Sequence, residues 1–118
     1  MPRDRDALYD ILDACRLILE YTEGMGYESF RASQMIKDAV LRRFEIIGEA
    51  TNRLSAEFCQ RHPDVPWQDM AGMRDRVIHG YDAVDWQIVW KAVHESVPEL
   101  AKRLETILAE FEDRPKNE

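Results

Sequence analysis

Ile36-Lys37-Asp38-Ala39-Val40-Leu41-Arg42-Arg43-Phe44-Glu45-Ile46-Ile47 is the stretch that decides the fold. Ile36, Val40, Phe44 and Ile47 recur at steps of four and three, which is the spacing of one face of an α-helix. Leu54 and Phe58 continue the same stripe. The pattern predicts a long second helix from about Ser29 to Arg61. Pro63 ends it, because proline has no amide hydrogen to donate and crowds the residue before it out of the helical region.

The flanking sequence repeats the theme. Upstream, Leu8, Ile11, Leu12, Cys15, Ile18 and Leu19 predict a first helix over Asp4 to Tyr21. The stretch from Thr22 to Tyr27, with Gly24 and Gly26, breaks it. Downstream, His62-Pro63-Asp64-Val65-Pro66 is a connector. A third helix starts near Pro66, a residue suited to a first turn. It carries Trp67, Met70, Met73 and Val77 inward and stops at Gly80. A fourth begins after Asp85, a natural N-cap, and runs to Glu112. Its predicted buried face is Ile88, Val89, Ala92, Val93, Val97, Leu100, Leu104, Ile107 and Phe111, with Pro98 expected to kink or split it. No stretch alternates as a strand does. The expected architecture is all-α, an antiparallel bundle of four or five helices in one domain over residues 1–118. The last six residues, 113–118, are expected to form a flexible tail.

Composition narrows the function classes. With 45% hydrophobic and 33% charged residues in 118, the chain can bury a core and is not expected to be disordered. No apolar run approaches membrane-spanning length, so no membrane role is expected. The charged start, Met1-Pro2-Arg3-Asp4-Arg5-Asp6, is not a secretory signal. Cys15 and Cys59 do not make a disulfide framework, and a cytoplasmic location is expected. The net charge of −7 counts against a broad polynucleotide-binding surface, though not against a small catalytic cleft. Any contact with nucleic acid has to be local, around a few arginines.

Such a place exists in Arg74-Asp75-Arg76-Val77-Ile78-His79-Gly80-Tyr81. Arg74 brings a rigid fork of donors that fits a phosphate. His79 can move a proton near neutral pH, and a helix C-terminus favours its protonated form. His79 and Tyr81 are two apart, so in extended backbone they face one side. Gly80 lets the chain turn where the helix stops. The group suits metal-independent cleavage of RNA. His79 would move the proton of the 2′-hydroxyl or of the leaving oxygen, and Arg74 would stabilise charge growing on phosphorus. Asp75 would orient the histidine or bind a sugar hydroxyl. The expected product is a 2′,3′-cyclic phosphate, with no metal site and no cofactor. The alternative is plain packing: arginine, histidine and tyrosine at a helix end also cap carbonyls.

Arg-x4-His-x-Tyr, here Arg74, His79 and Tyr81, resembles the Arg-x(4–6)-His-x-Tyr signature of HepT-like toxins in the HEPN superfamily. Leu41 to Ala50 resembles the family's Arg-x-x-Glu-x-Ile-Gly-Glu-Ala stretch, and Pro66-Trp67 and Ile88-Val89-Trp90 also fit. The resemblance covers nearly the whole chain. It implies a helical-bundle ribonuclease that works as a homodimer, with two Arg/His motifs facing one composite cleft. It also implies a partner, a minimal nucleotidyltransferase antitoxin of the MntA type. That antitoxin would transfer AMP to Tyr81 and so block the cleft, as in a type VII-like toxin–antitoxin pair. A non-catalytic HEPN module that binds nucleotide, or presents substrate to its nucleotidyltransferase, is the competing expectation.

Chemistry-bearing residues also occur outside the motif. Arg42, Glu45 and Glu49 share one helix face, either lining the cleft or forming an intrahelical charge cluster. Gly48 in mid-helix points to a close helix approach. Arg76 is placed to meet a phosphate or a nearby acid. Cys59-x-x-His62 is too small a set for a metal site and reads as a packed thiol beside a helix-end histidine. His94 reads as a surface or interface residue. Trp67, Trp86 and Trp90 read as core or interface aromatics, with base stacking the alternative.

Overall fold

Two serines and an aspartate decide where three of the helices begin. The computed structural model describes residues 2–78 and 84–112. It contains α1 (Pro2–Tyr21), α2 (Tyr27–Ala32), α3 (Gln34–Asn52), α4 (Ala56–Arg61), α5 (Trp67–Ile78), α6 (Trp86–His94) and α7 (Ser96–Glu112). Among the described residues there is no strand. Five helices of nine residues or more form the expected bundle, and α2 and α4 are short additions of six residues each.

The predicted second helix, Ser29 to Arg61, is therefore three helices. Ser33 is extended (φ −95°, ψ 103°), and its hydroxyl accepts from the Ile36 amide at 3.1 Å. Ser55 is extended too, and its hydroxyl accepts from the Phe58 amide at 3.1 Å. Each serine satisfies a donor that a helix start leaves orphaned, which stabilises a new helix by about 1 kcal/mol. The extended backbone at Ser33 and Ser55 separates α2 and α4 from α3. Asp85 caps α6 as the sequence predicts. Gly24 takes a left-handed conformation (φ 74°) in the expected break after α1.

Pro98 acts three residues early. Its ring conflicts with the carbonyl four residues back, which belongs to His94, the last residue of α6. The fourth predicted helix thus divides at Glu95, and Pro98 falls in the first turn of α7. Ile88 departs from the predicted buried face and is 64% exposed. Two steps of about 100° put it opposite the buried Trp86 on α6.

The long helices alternate in direction. The Asp4 carboxylate, at the start of α1, accepts from the Ser55 amide at 2.8 Å and the Ser55 hydroxyl at 2.9 Å. Arg53 pairs with Asp10 of α1, and Arg3 donates to the Arg53 carbonyl at 3.1 Å. The start of α1 therefore meets the end of α3. At the same end of the molecule Phe58 stacks on Phe111 of α7 and meets Trp67 of α5 edge to face. So α1 and α5 begin where α3 and α7 finish. α3 lies between α1 and α5, and α1 also packs on α7. The opposite end collects α2, the start of α3 and the start of α6. No helix among the described residues is long and apolar enough to cross a membrane. The tail expected over 113–118 lies outside the described residues.

Asp4 is 1% exposed, yet both its oxygens are used. Asp4→Ala should leave the Ser55 amide unpaired and destabilise the fold by about 1–3 kcal/mol. Urea unfolding checks this, and an unchanged midpoint would show that the α1–α4 corner does not depend on the carboxylate.

Candidate functional site

α5 delivers Arg74, Asp75 and Arg76 in its last two turns. The side chains of Arg74, Asp75, Arg76 and Val77 lie outside the described residues, as do His79, Gly80 and Tyr81 entirely. What the structure places are the two ends between which the motif runs.

The first end is α5 itself. Met70 is buried and Met73 half-buried, and together with Phe44 and Ile47 of α3 they line a groove of about 760 Å³. Val97 and Leu100 of α7 form its other wall. Asp64 and Arg103 close the rim, with Nε 2.6 Å from Oδ2. The hydrogen bond from Arg103 holds the Asp64 carboxyl below the usual carboxylate range. α5 packs on α3 beside this groove, whose lining among the described residues holds no histidine or cysteine.

The second end is the start of α6. One oxygen of Asp85 accepts from the amides of Gln87 at 3.0 Å and Ile88 at 3.3 Å. The next residue, Trp86, is buried. Its ring meets Phe30 of α2 edge to face at 5.9 Å. The Arg31 guanidinium lies 5.7 Å from the ring centroid and the Lys37 ammonium 5.0 Å from it. One turn on, Trp90 lies 4.8 Å from Phe30 and 6.3 Å from Tyr27. Contacts from α2 and α3 thus hold the tryptophan that opens α6, a short way along the chain from Tyr81. Lys37 is only 7% exposed. A buried ammonium is tolerated when an aromatic face stabilises it and its stem is packed. Sequence reasoning missed Arg31 and Lys37. A signal was present for Lys37, which lies three and seven residues before Val40 and Phe44, on the buried stripe.

Of the supporting residues, Arg42 and Glu45 are brought together as an ion pair on α3, with the arginine side chain 54% exposed. Exposed pairs of this spacing contribute about 0.3–0.5 kcal/mol. The intrahelical pairing is thus realised. The neighbouring Arg43 buries its Nε with no hydrogen-bond partner among the described residues. Gly48 is buried in mid-helix.

Cys59 and His62 do not join a metal-ligand group, and no cluster of three or more candidate ligands occurs among the described residues. The His62 ring packs on Phe58 at 4.6 Å. Burial, and then the charge of Arg103, push its pKa below the ordinary histidine value. Burial raises the Cys59 thiol, helped by the negative charge of Asp4. The Cys15 thiol, deep in the core, is pushed up to about 12.

The family model described as "Ribonuclease HepT-like" matches residues 11–107. The chain is 41% identical to "Probable ribonuclease HepT" of Thermococcus cleftensis, over 87% of this chain and 94% of the relative. It is 40% identical to "Putative RNase MJ1380" of Methanocaldococcus jannaschii, over 85% and 92% of the two chains. It is 39% identical to "Putative RNase TTE0752" of Caldanaerobacter subterraneus subsp. tengcongensis, over 92% and 96%. No solved structure matches at significance.

The thiols give a check on this part of the molecule. With iodoacetamide at pH 8, native protein should gain label at Cys59 slowly and at Cys15 not at all, because the thiolate is the nucleophile. Both should label in urea. Peptide mass spectrometry showing Cys15 modified as fast as Cys59 in native protein would contradict the buried, raised-pKa thiol.

Proposed function

Because the chain belongs to the Ribonuclease HepT-like family, we propose that it is a ribonuclease toxin whose site is the Arg74-x4-His79-x-Tyr81 segment. The observation that carries the reading is where the segment falls. It leaves the C-terminal end of α5, which α3 holds, and returns to Asp85 and Trp86, which α2, α3 and α6 hold. Catalysis of this kind needs its groups held in a set geometry, and the packed helices on either side of the segment support that reading.

The reaction is transesterification. The 2′-hydroxyl oxygen attacks phosphorus and loses its proton, the bond to the 5′-oxygen breaks, and that oxygen gains a proton. The products are a 2′,3′-cyclic phosphate and a free 5′-hydroxyl. The internal hydroxyl is the nucleophile, so no metal-activated water is required. His79 carries the proton, aided in its charged form by the negative end of the α5 dipole. Arg74 stabilises the extra negative charge on the phosphoryl oxygens. Asp75 orients His79, and Arg76, with the Arg42–Glu45 face, supports the cleft. Two copies form the cleft as a homodimer in the cytoplasm.

Regulation uses Tyr81. In this reading an MntA-type nucleotidyltransferase directs the Tyr81 oxygen onto the α-phosphorus of magnesium-bound ATP. Pyrophosphate leaves, and the tyrosine keeps AMP. The added phosphate places negative charge beside Arg74, and the adenosine blocks RNA entry. The net charge of −7 favours one other reading, a non-catalytic subunit that binds nucleotide or presents substrate to the nucleotidyltransferase.

The two readings part in a cleavage assay on unmodified protein. Arg74→Ala and His79→Ala should each lower cleavage about 10²–10⁴-fold with the fold intact. Chelator should have little effect. Tyr81→Phe should stay toxic and gain no AMP mass when incubated with the antitoxin and ATP. Unaltered cleavage by His79→Ala, or complete loss with chelator, would overturn the mechanism. Equal AMP mass on wild type and Tyr81→Phe would move the acceptor elsewhere.

A further inference from the structure

A series of rings runs from the core to the surface, from Phe30 of α2 to Trp90 and His94 of α6, the helix that follows the motif. Phe30 is fully buried, Trp90 is half-buried against it at 4.8 Å, and His94 is exposed with its ring 4.2 Å from Trp90. The His94 ring is held in place, since Nδ1 lies 3.1 Å from the Trp90 carbonyl oxygen. A carbonyl can only accept, so Nδ1 carries the hydrogen and donates. The outermost ring of the series is therefore both exposed and oriented.

Within α6 itself, Trp86 to His94 contains Lys91 and His94 and no acidic residue, with Asp85 and Glu95 as its caps, in a protein of net charge −7. Lys91 is exposed beside Trp90, and the exposed Arg31 lies one turn back over Trp86. Aromatic faces interleaved with cations are the surface that unpaired nucleic acid uses: bases stack on the rings and phosphates meet the cations. Position fits as well. His94 is eight residues after Trp86, about 12 Å along the helix. A few nucleotides span that distance.

We propose that the exposed His94 ring, backed by Trp90 and Phe30 and flanked by Lys91 and Arg31, is a base-stacking subsite for single-stranded RNA leading to the Arg74–Tyr81 segment. This rests on the ribonuclease reading for its biological meaning. The binding itself is open to test without cleavage. A duplex is excluded from such a subsite, because its bases are already stacked on each other. The subsite also gives a local, charge-assisted hold on RNA that the acidic surface as a whole does not provide.

The test uses a fluorescent 2′-O-methyl octanucleotide, which cannot be cleaved, and measures anisotropy with wild type, His94→Ala and His94→Phe. His94→Ala should weaken binding about tenfold, with its urea midpoint checked against wild type. His94→Phe keeps a stackable ring while losing both ring nitrogens, the one bonded to the Trp90 carbonyl included, so if stacking carries the binding it should bind like wild type. The same sequence as a duplex should bind equally poorly to all three. In cleavage assays the loss in His94→Ala should appear as a raised KM on an octaribonucleotide and should vanish on a dinucleotide. Unchanged binding in His94→Ala, or His94→Phe as weak as His94→Ala, overturns the subsite. Wild type that binds the octanucleotide through His94 but cleaves no RNA leaves the subsite standing and refutes the ribonuclease reading instead.

Discussion

The structure depends on the broad buried face of α3. Val40, Phe44 and Ile47 supply the stripe that faces the core, and Leu41, Gly48 and Thr51 widen it. A helix with so broad an apolar arc cannot be covered by one neighbour. α1 and α5 both pack on it, and α1 bridges to α7. The exposed remainder is narrow, and the Arg42–Glu45 pair lies there. This constraint has a functional consequence. α5 owes its position to α3, so the helix end that bears Arg74 is set by packing one and two turns earlier, at Met70 and Met73.

The other end of the motif is held by a different kind of interaction. Trp86 receives the Lys37 ammonium, the Arg31 guanidinium and the edge contact with Phe30. Removing a lysine from water is unfavourable, and it persists here because a ring face stabilises the charge in a site of low dielectric. Such an arrangement is sensitive to substitution, since loss of the ring would leave a buried charge poorly compensated. Asp85 then starts α6 by capping two amides. Packing at α5 and the cation–aromatic cluster at α6 are the described contacts on either side of the motif in the chain.

Much of this is legible from residue spacing. The stripes over Leu8 to Ile18 and over Val40 to Ile47 are buried as the periodicity predicts, because apolar spacing reports burial directly. The breaks at Ser33 and Ser55 are not legible in the same way, although serine is a favoured N-cap. Serine also fits within a helix, and the apolar stripe runs through both positions. At Ser55 the deciding partner is Asp4, fifty-one residues away, which no local window contains. Ile88 looks inward because it is apolar, whereas the phase set by Trp86 and Val93 turns it out. The motif from Arg74 to Tyr81 is legible as a pattern of chemistry. Arg31 is not, and Lys37 is legible only as a position on the buried stripe, because their relation to Trp86 exists only once α2, α3 and α6 meet.

The acidic balance of the chain and its reading as an RNA-handling protein are compatible once distance is considered. At physiological ionic strength exposed charges are screened beyond about 8 Å. Acids farther than that from a bound phosphate therefore weigh little on its seat, whatever the net charge of −7. Several acids are also spoken for: Asp4 bonds Ser55, while Asp10, Glu45, Asp64 and Glu105 pair with arginines. Those pairs hold helices to one another or cover a helix face, and each neutralises an arginine that would otherwise attract phosphate. Arg31 and Lys37 meet a ring instead of a carboxylate at Trp86, and α6 adds Lys91 without an acid of its own. Three cations, Arg31, Lys37 and Lys91, thus lie by the rings of α6, next in the chain to the segment that carries an arginine, a histidine and a tyrosine together. On the proposed reading, a weak, local attraction of that kind would place selectivity in stacking and shape rather than in bulk charge.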